Sequence, residues 1–274
     1  MYSFTLPAHQ KIDRVAYRHL KTLIGKSSFF PSIREILHFE GRHGPDATKL
    51  KKGATSPWHF YDPYDEYNNH DFWALIEDHY AQLILELKAG NRERVAFEAS
   101  WLAHGLVDGL TPAHHYPYEQ ELEEIRGEDK ETRGNAYQRV VLKGDTPRDS
   151  IQRNMKLMGP KGLLITHTLF EAGAATIILP LRITQGTPSQ EEILMFNNVG
   201  LVDFFKRQAH QVADLRMYER FYKRGWHPGL ARDIRRELAP AMVRTVTLAW
   251  YGAVVEAGLI KTEPKSRTKI AAAR

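Results

Sequence analysis

Apolar residues recur at three- and four-residue spacing along nearly the whole chain, and no stretch alternates apolar with polar as a series of strands would. Ile12, Val15, Ala16, Leu20 and Ile24 set the pattern, with Gly25 as its stop. The same spacing predicts helices over 32–39, 71–88, 92–109, 148–157, 162–178, 190–224 and 230–258, the last kinked or divided at Pro240. The segment 119–133 is charge-rich and reads as solvated. Between 41 and 63 the punctuation by Gly44-Pro45, Gly53 and Pro57 predicts a loop with short turns, and ordered loops of that length tend to be functional. The expected fold class is all-α: one multi-helix domain over 1–260, followed by a basic tail, 261–274, that should fray.

Composition narrows the chemistry. A chain of 274 residues with 42% hydrophobic content can build one large core, and it has no cysteine. Thiolate zinc sites, disulfides and cysteine nucleophiles are thereby excluded together, so any metal must be held by histidine and carboxylate. The 13 histidines are many for this length. The first twenty residues lack the apolar run of a signal peptide, which predicts a cytoplasmic location for the chain as written, or a secreted one if a signal has been removed. The uncharged stretch 245–255, between Arg244 and Glu256, reads as too short to cross a bilayer, and a soluble protein is expected. A net charge of +5 and a pI near 9.2 suit phosphate-bearing or anionic-lipid partners, although solubility alone accounts for such a balance.

Two pairs of residues carry the functional signal. His104 and Asp108 are four apart, as are His167 and Glu171, so on a helix each pair aims a nitrogen and a carboxylate donor in one direction. His114 follows just after Pro112, where the helix should have ended and the chain can turn back. His59 lies at the end of the long loop, in Trp58-His59-Phe60-Tyr61-Asp62-Pro63, and Asp46 lies thirteen residues before it. Taken alone, each H-x-x-x-D is more often an ordinary polar pair than a metal site.

The ordered set is more specific. His9, Asp46, His59-Phe60-Tyr61-Asp62-Pro63, His104-x-x-x-Asp108-x-x-x-Pro112-x-His114 and His167-x-x-x-Glu171 together resemble the zinc-dependent phospholipase C family over roughly residues 9 to 171. The resemblance implies the helical fold shared by that family and the P1 nucleases, with two to three zinc ions in a cleft. It implies that His59, His104 and Asp108 hold one zinc, with Asp108 bridging to another. His114, His167 and Glu171 would hold a second, and His9, Asp108 and the amino terminus a third. Family chains begin with a tryptophan where this one reads Met1-Tyr2. Asp46 resembles the carboxylate that orients or deprotonates the attacking water. The stretch between His114 and His167 is longer than in the bacterial enzymes, which implies an insertion near 116–160 that forms a lid or reshapes the substrate pocket.

The implied activity is hydrolysis of a phosphodiester or phospholipid, with transient contact to a membrane surface. An S1/P1-like nuclease acting on nucleic acid is the alternative, because those enzymes share the fold and the first motif; their second pair resembles H-x-x-x-D where this chain has Glu171. A reading of another class is a non-catalytic helical interaction module with a structural metal or none. Several features have ordinary explanations. Asp46 suits a helix cap or turn, His115 competes with its neighbour His114, and His70-Asp71 is a lone dipeptide. The aromatic residues from Trp58 to Trp73 suit core packing as well as a cleft, and the basic residues Arg220, Lys223, Arg224, Arg232, Arg235 and Arg236 suit a solvated helix surface.

Overall fold

A computed structural model of the chain describes residues 6–25, 29–40, 44–48, 60–65, 67–127 and 142–260. The helices are α1 (Leu6–Ile24), α2 (Ile33–His38), α3 (Pro45–Thr48), α4 (His70–Ala89), α5 (Arg92–Leu110), α6 (Tyr118–Arg126), α7 (Pro147–Met158), α8 (Leu163–Ile178), α9 (Gln190–Asp214), α10 (Met217–Arg224), α11 (Pro228–Asp233) and α12 (Ala239–Glu256). No strand occurs among the described residues, and one continuous core joins helices from α1 to α12. The tail beyond 260 lies outside the described residues.

The α4–α5 hairpin and α12 build the centre. Gly90 stops α4 in the left-handed region at φ 70°, and the Asn91 side chain accepts the Arg94 N–H to start α5 at once. α5 is buried on nearly all sides from Val95 to Leu110. Its approach to α4 requires glycine: a Cβ on Gly105 would lie 2.8 Å from Ile76 Cδ1, and one on Gly109 would lie 2.5 Å from Phe72 Cζ. Because 104 and 108 are the next positions round the helix, that close contact fixes the direction in which His104 and Asp108 project. α12 packs against α1, α4, α5 and α9. The segment from Pro228 to Glu256 is long and apolar enough to cross a membrane, a length the stretch 245–255 does not convey. However, 89% of its apolar window is buried inside the fold, as expected of a core helix.

The helix expected over 190–224 is more broken than its periodicity implies, and the last is divided next to Pro240, as expected. The continuous helix expected over 190–224 is interrupted at Gly200 (φ 80°, ψ −179°) and ends at Asp214, where Arg216 turns left-handed at φ 47° before α10. Hydrophobic spacing survives such breaks, so periodicity does not register them. Near Pro240 the chain answers the missing N–H with a π-helical turn over Ile234–Leu238, placed just ahead of α12.

The described parts of 116–160 carry a small core of their own. Leu122, Leu142, Leu157 and Leu163 cluster there, and Arg153 Nη1 donates to the Arg126 carbonyl at 2.6 Å, capping the end of α6 from α7. Residues 128–141 lie outside the described residues.

A surface pair ties α2 to α5. Glu35 closes a capping box with Ser32 and also accepts from Arg92 Nε at 2.5 Å and Nη2 at 2.7 Å. Arg92, then Ser32, hold the Glu35 carboxyl down at about 2 from an ordinary 4.5. A depressed carboxylate pKa stabilises the fold above the unfolded value, and that contribution fades as the pH falls from 4.5 towards 2. Both groups are largely exposed, so Arg92→Ala should cost at most about 1 kcal/mol near neutrality. Chemical denaturation of the variant and the parent should show the difference shrinking below pH 4.5; a constant gap would refute the assignment.

Candidate metal centre

Two clusters of donors meet at the C-terminal end of α5. In the first, His9 of α1 stacks on His104 of α5, ring centroids 4.4 Å apart and planes inclined by 16°. Asp108, one turn on, reaches the Nε2 edges of both rings: Oδ1 is 3.2 Å from His9 Nε2, and Oδ2 is 3.1 Å from His104 Nε2. The opposite, Nδ1 edges face Glu40, which follows α2; its Oε1 lies 3.0 Å from His104 Nδ1 and 3.8 Å from His9 Nδ1. Asp46 stands in the first turn of α3, inside that helix rather than capping it, with Oδ1 3.8 Å from His104 Nε2.

The second cluster uses the turn after α5. Thr111 leaves the helix in extended conformation, and Pro112 opens a 3₁₀ turn over Pro112–His115. His114 Nε2 is 2.9 Å from Glu171 Oε1, and His167 Nε2 is 3.2 Å from the same oxygen. The His114 and His167 rings stack at 5.2 Å. His114 Nδ1 donates to the backbone carbonyl of Asp108 at 3.0 Å, which leaves Nε2 for Glu171. Asp108 therefore touches the first cluster through its carboxylate and the second through its carbonyl.

His115, the competing neighbour, turns the other way. Its Nε2 donates to the Gly109 carbonyl at 2.9 Å, and burial pushes its pKa down to about 4. Phe60 packs edge-on to His114 and stacks on Tyr118 of α6, which itself lies 4.9 Å from His167. The 116–160 stretch thus supplies one wall of the second cluster. A cavity of about 690 Å³ opens nearby, lined by Pro112, Tyr116, Thr166 and Tyr218 among others, but none of the clustered donors lines it.

Desolvation alone would raise the Asp108 and Glu171 carboxyls. The histidines outweigh it: His104 and His114 hold Asp108 well below the usual carboxylate range, and His167 and His114 do the same for Glu171. Asp13, one turn after His9, goes the other way, pushed up first by burial and then by the charge of Glu40.

These donors fit a divalent metal. His9, Glu40 and His104 form one set, and His114, His167 and Glu171 another, whose ligand atoms lie within 4.8 Å of one another. His104 Nε2, on the edge that faces Asp108, is buried without a hydrogen bond, the state of a nitrogen that a metal could accept. Imidazole with carboxylate and no thiolate is a donor set that several divalent metals accept.

The sequence expectations divide accordingly. Six of the expected metal residues, His9, His104, Asp108, His114, His167 and Glu171, converge, and Asp46 stands beside them; His59 lies outside the described residues. Glu40 and Asp13 are additions. Asp13 had a legible signal, since His9-x-x-x-Asp13 has the spacing of the other two pairs. Glu40 had none, being 64 residues from its partner His104. The other candidates are explained without a site. His70 and Asp71 form an exposed pair, and His79 is buried against Glu98, which Arg94 also contacts. His19 meets Thr187, and His227 caps α11. Tyr61, Phe72, Trp73 and Phe205 pack together around the core, and Arg220, Lys223 and Arg232 pair with Asp233 or Glu219. No family model, curated protein or solved structure matches this chain.

Proposed function

We propose that the protein is a zinc-dependent phosphoric-diester hydrolase resembling phospholipase C. The observation that carries the reading is the convergence of two histidine–carboxylate clusters on Asp108, from helices distant in sequence. His9, His104 and Asp108 would hold metal in the first cluster, and His114, His167 and Glu171 in the second. Bound zinc supplies Lewis acidity: it offsets phosphodiester charge and makes nearby water acidic.

The chain's own residues divide the remaining work. Asp46 takes the proton of the attacking water, because it is the least buried carboxylate of the first cluster: its side chain is 17% exposed, against 6% for Asp108 and 0% for Glu40. The Asp108 carbonyl fixes the orientation of His114, and Phe60 with Tyr118 shields His167 on one side. Water adds to phosphorus as its proton passes to Asp46, the P–O bond to the leaving group breaks, and the departing oxygen takes a proton from solvent, so that a phosphomonoester and an alcohol result.

Metal analysis of purified protein should find two or more zinc equivalents, reduced in His104→Ala and in His167→Ala. Protein that is metal-free and equally stable in chelator would reject the reading in favour of a non-catalytic helical module. Asp46→Asn should keep its metal and lose about 10²–10⁴-fold in turnover. Bis-p-nitrophenyl phosphate, p-nitrophenyl phosphorylcholine and single-stranded nucleic acid, assayed side by side, separate a phospholipase C-like enzyme from a nuclease.

A further inference from the structure

We infer that Glu40 is a positioning residue for the first cluster: it fixes His104 from the Nδ1 edge, so that Nε2 faces Asp108 and Asp46 and metal lies on the Nε2 edge, with Glu40 outside its coordination. The placement of metal rests on the proposed function; the orientation of His104 does not.

The stacked pair His9 and His104 has two edges, the Nδ1 edge met by Glu40 and the Nε2 edge by Asp108, with Asp46 beside His104. Distance alone would allow Glu40 to be a ligand, since it groups with His9 and His104 within 4.8 Å. Three observations favour the other edge. Both Glu40 oxygens are engaged: Oε1 accepts from His104 Nδ1 at 3.0 Å, and Oε2 accepts from Ser100 Oγ at 3.4 Å. The Nδ1 edge is closed, with Glu40 fully buried, so a metal there would have no open position for water. On the Nε2 edge, Asp108 offers a separate oxygen to each histidine, and Asp46, its side chain 17% exposed, stands 3.8 Å from His104 Nε2.

A carboxylate accepting from Nδ1–H fixes the ring and leaves Nε2 as the donor atom, and it strengthens that donor. His114 is held in the same sense by the Asp108 carbonyl. Glu40 is the side-chain counterpart of that arrangement, reaching across from the end of α2.

The test pairs two readouts on the full chain. Ring N–H signals in ¹⁵N-histidine-labelled protein report the Nδ1–H···Glu40 bond with or without metal. The His104 Nδ1–H signal should lie at low field in the parent, move upfield in Glu40→Gln and vanish into exchange in Glu40→Leu. Zinc titration should find the same number of equivalents in Glu40→Gln as in the parent, one of them bound about 10–100-fold more weakly, whereas Asp108→Asn should lose that equivalent. A Glu40→Gln protein that loses the equivalent would make Glu40 a ligand and overturn the inference, as would parental zinc affinity in both Glu40 variants. Should the parent bind no zinc, the proposed function fails by itself, and the N–H signal alone decides the orientation: a signal unmoved by Glu40→Gln overturns it. Glu40→Gln keeps the size and an acceptor oxygen, so the inference stays testable where Glu40→Leu does not fold.

Discussion

Asp108→Asn is expected to empty the first cluster of metal while the second retains its own, and to lower phosphodiester turnover by at least about 10²–10³-fold. The geometry gives the reason. Each carboxylate oxygen serves a different histidine, at 3.2 and 3.1 Å, and an amide can supply only one acceptor oxygen and no charge. The backbone carbonyl that orients His114 is untouched by the substitution. The expected protein therefore folds, binds fewer zinc equivalents by elemental analysis, and shows a smaller zinc-induced rise in Tm than the parent. Parental stoichiometry together with parental turnover would remove Asp108 from the centre of the site.

The largest effect on stability is expected from Trp250→Ala, about 3–5 kcal/mol. Trp250 is fully buried in α12, tilts against Phe30, and donates from Nε1 to the Ala99 carbonyl of α5 at 2.9 Å. Truncation would open a cavity between two central helices and remove that donor. Urea denaturation followed by circular dichroism measures the change. A loss below about 1 kcal/mol would mean that α12 relaxes into the space, contrary to the close packing of the core. Because Trp250 belongs to neither donor cluster, zinc stoichiometry of the folded variant should match the parent.

The donors that share a helix were legible in the sequence because a helix fixes the spacing of its own side chains. His104 with Asp108 and His167 with Glu171 each needed only a local rule. The choice of His114 over His115 was readable from its place in the ordered pattern, and the 3₁₀ turn after Pro112 gives the cause: consecutive side chains point apart, one to Glu171 and the other to the Gly109 carbonyl. The breaks at Gly200 and Arg216 escaped, since apolar spacing continues across them.

By itself, the sequence determined an all-helical chain without thiol chemistry, the helical pairs of nitrogen and carboxylate donors, and the turn that follows α5. Only the tertiary structure decided that His9 stacks on His104, that Glu40 takes the inner edge of that pair, and that Asp46 stands beside His104 Nε2. Spacing along one helix is a covalent constraint, readable residue by residue. The meeting of α1, the end of α2 and α5 is set by packing among elements far apart in the chain, where glycines at 105 and 109 bring α4 close and thereby turn His104 and Asp108 towards their partners.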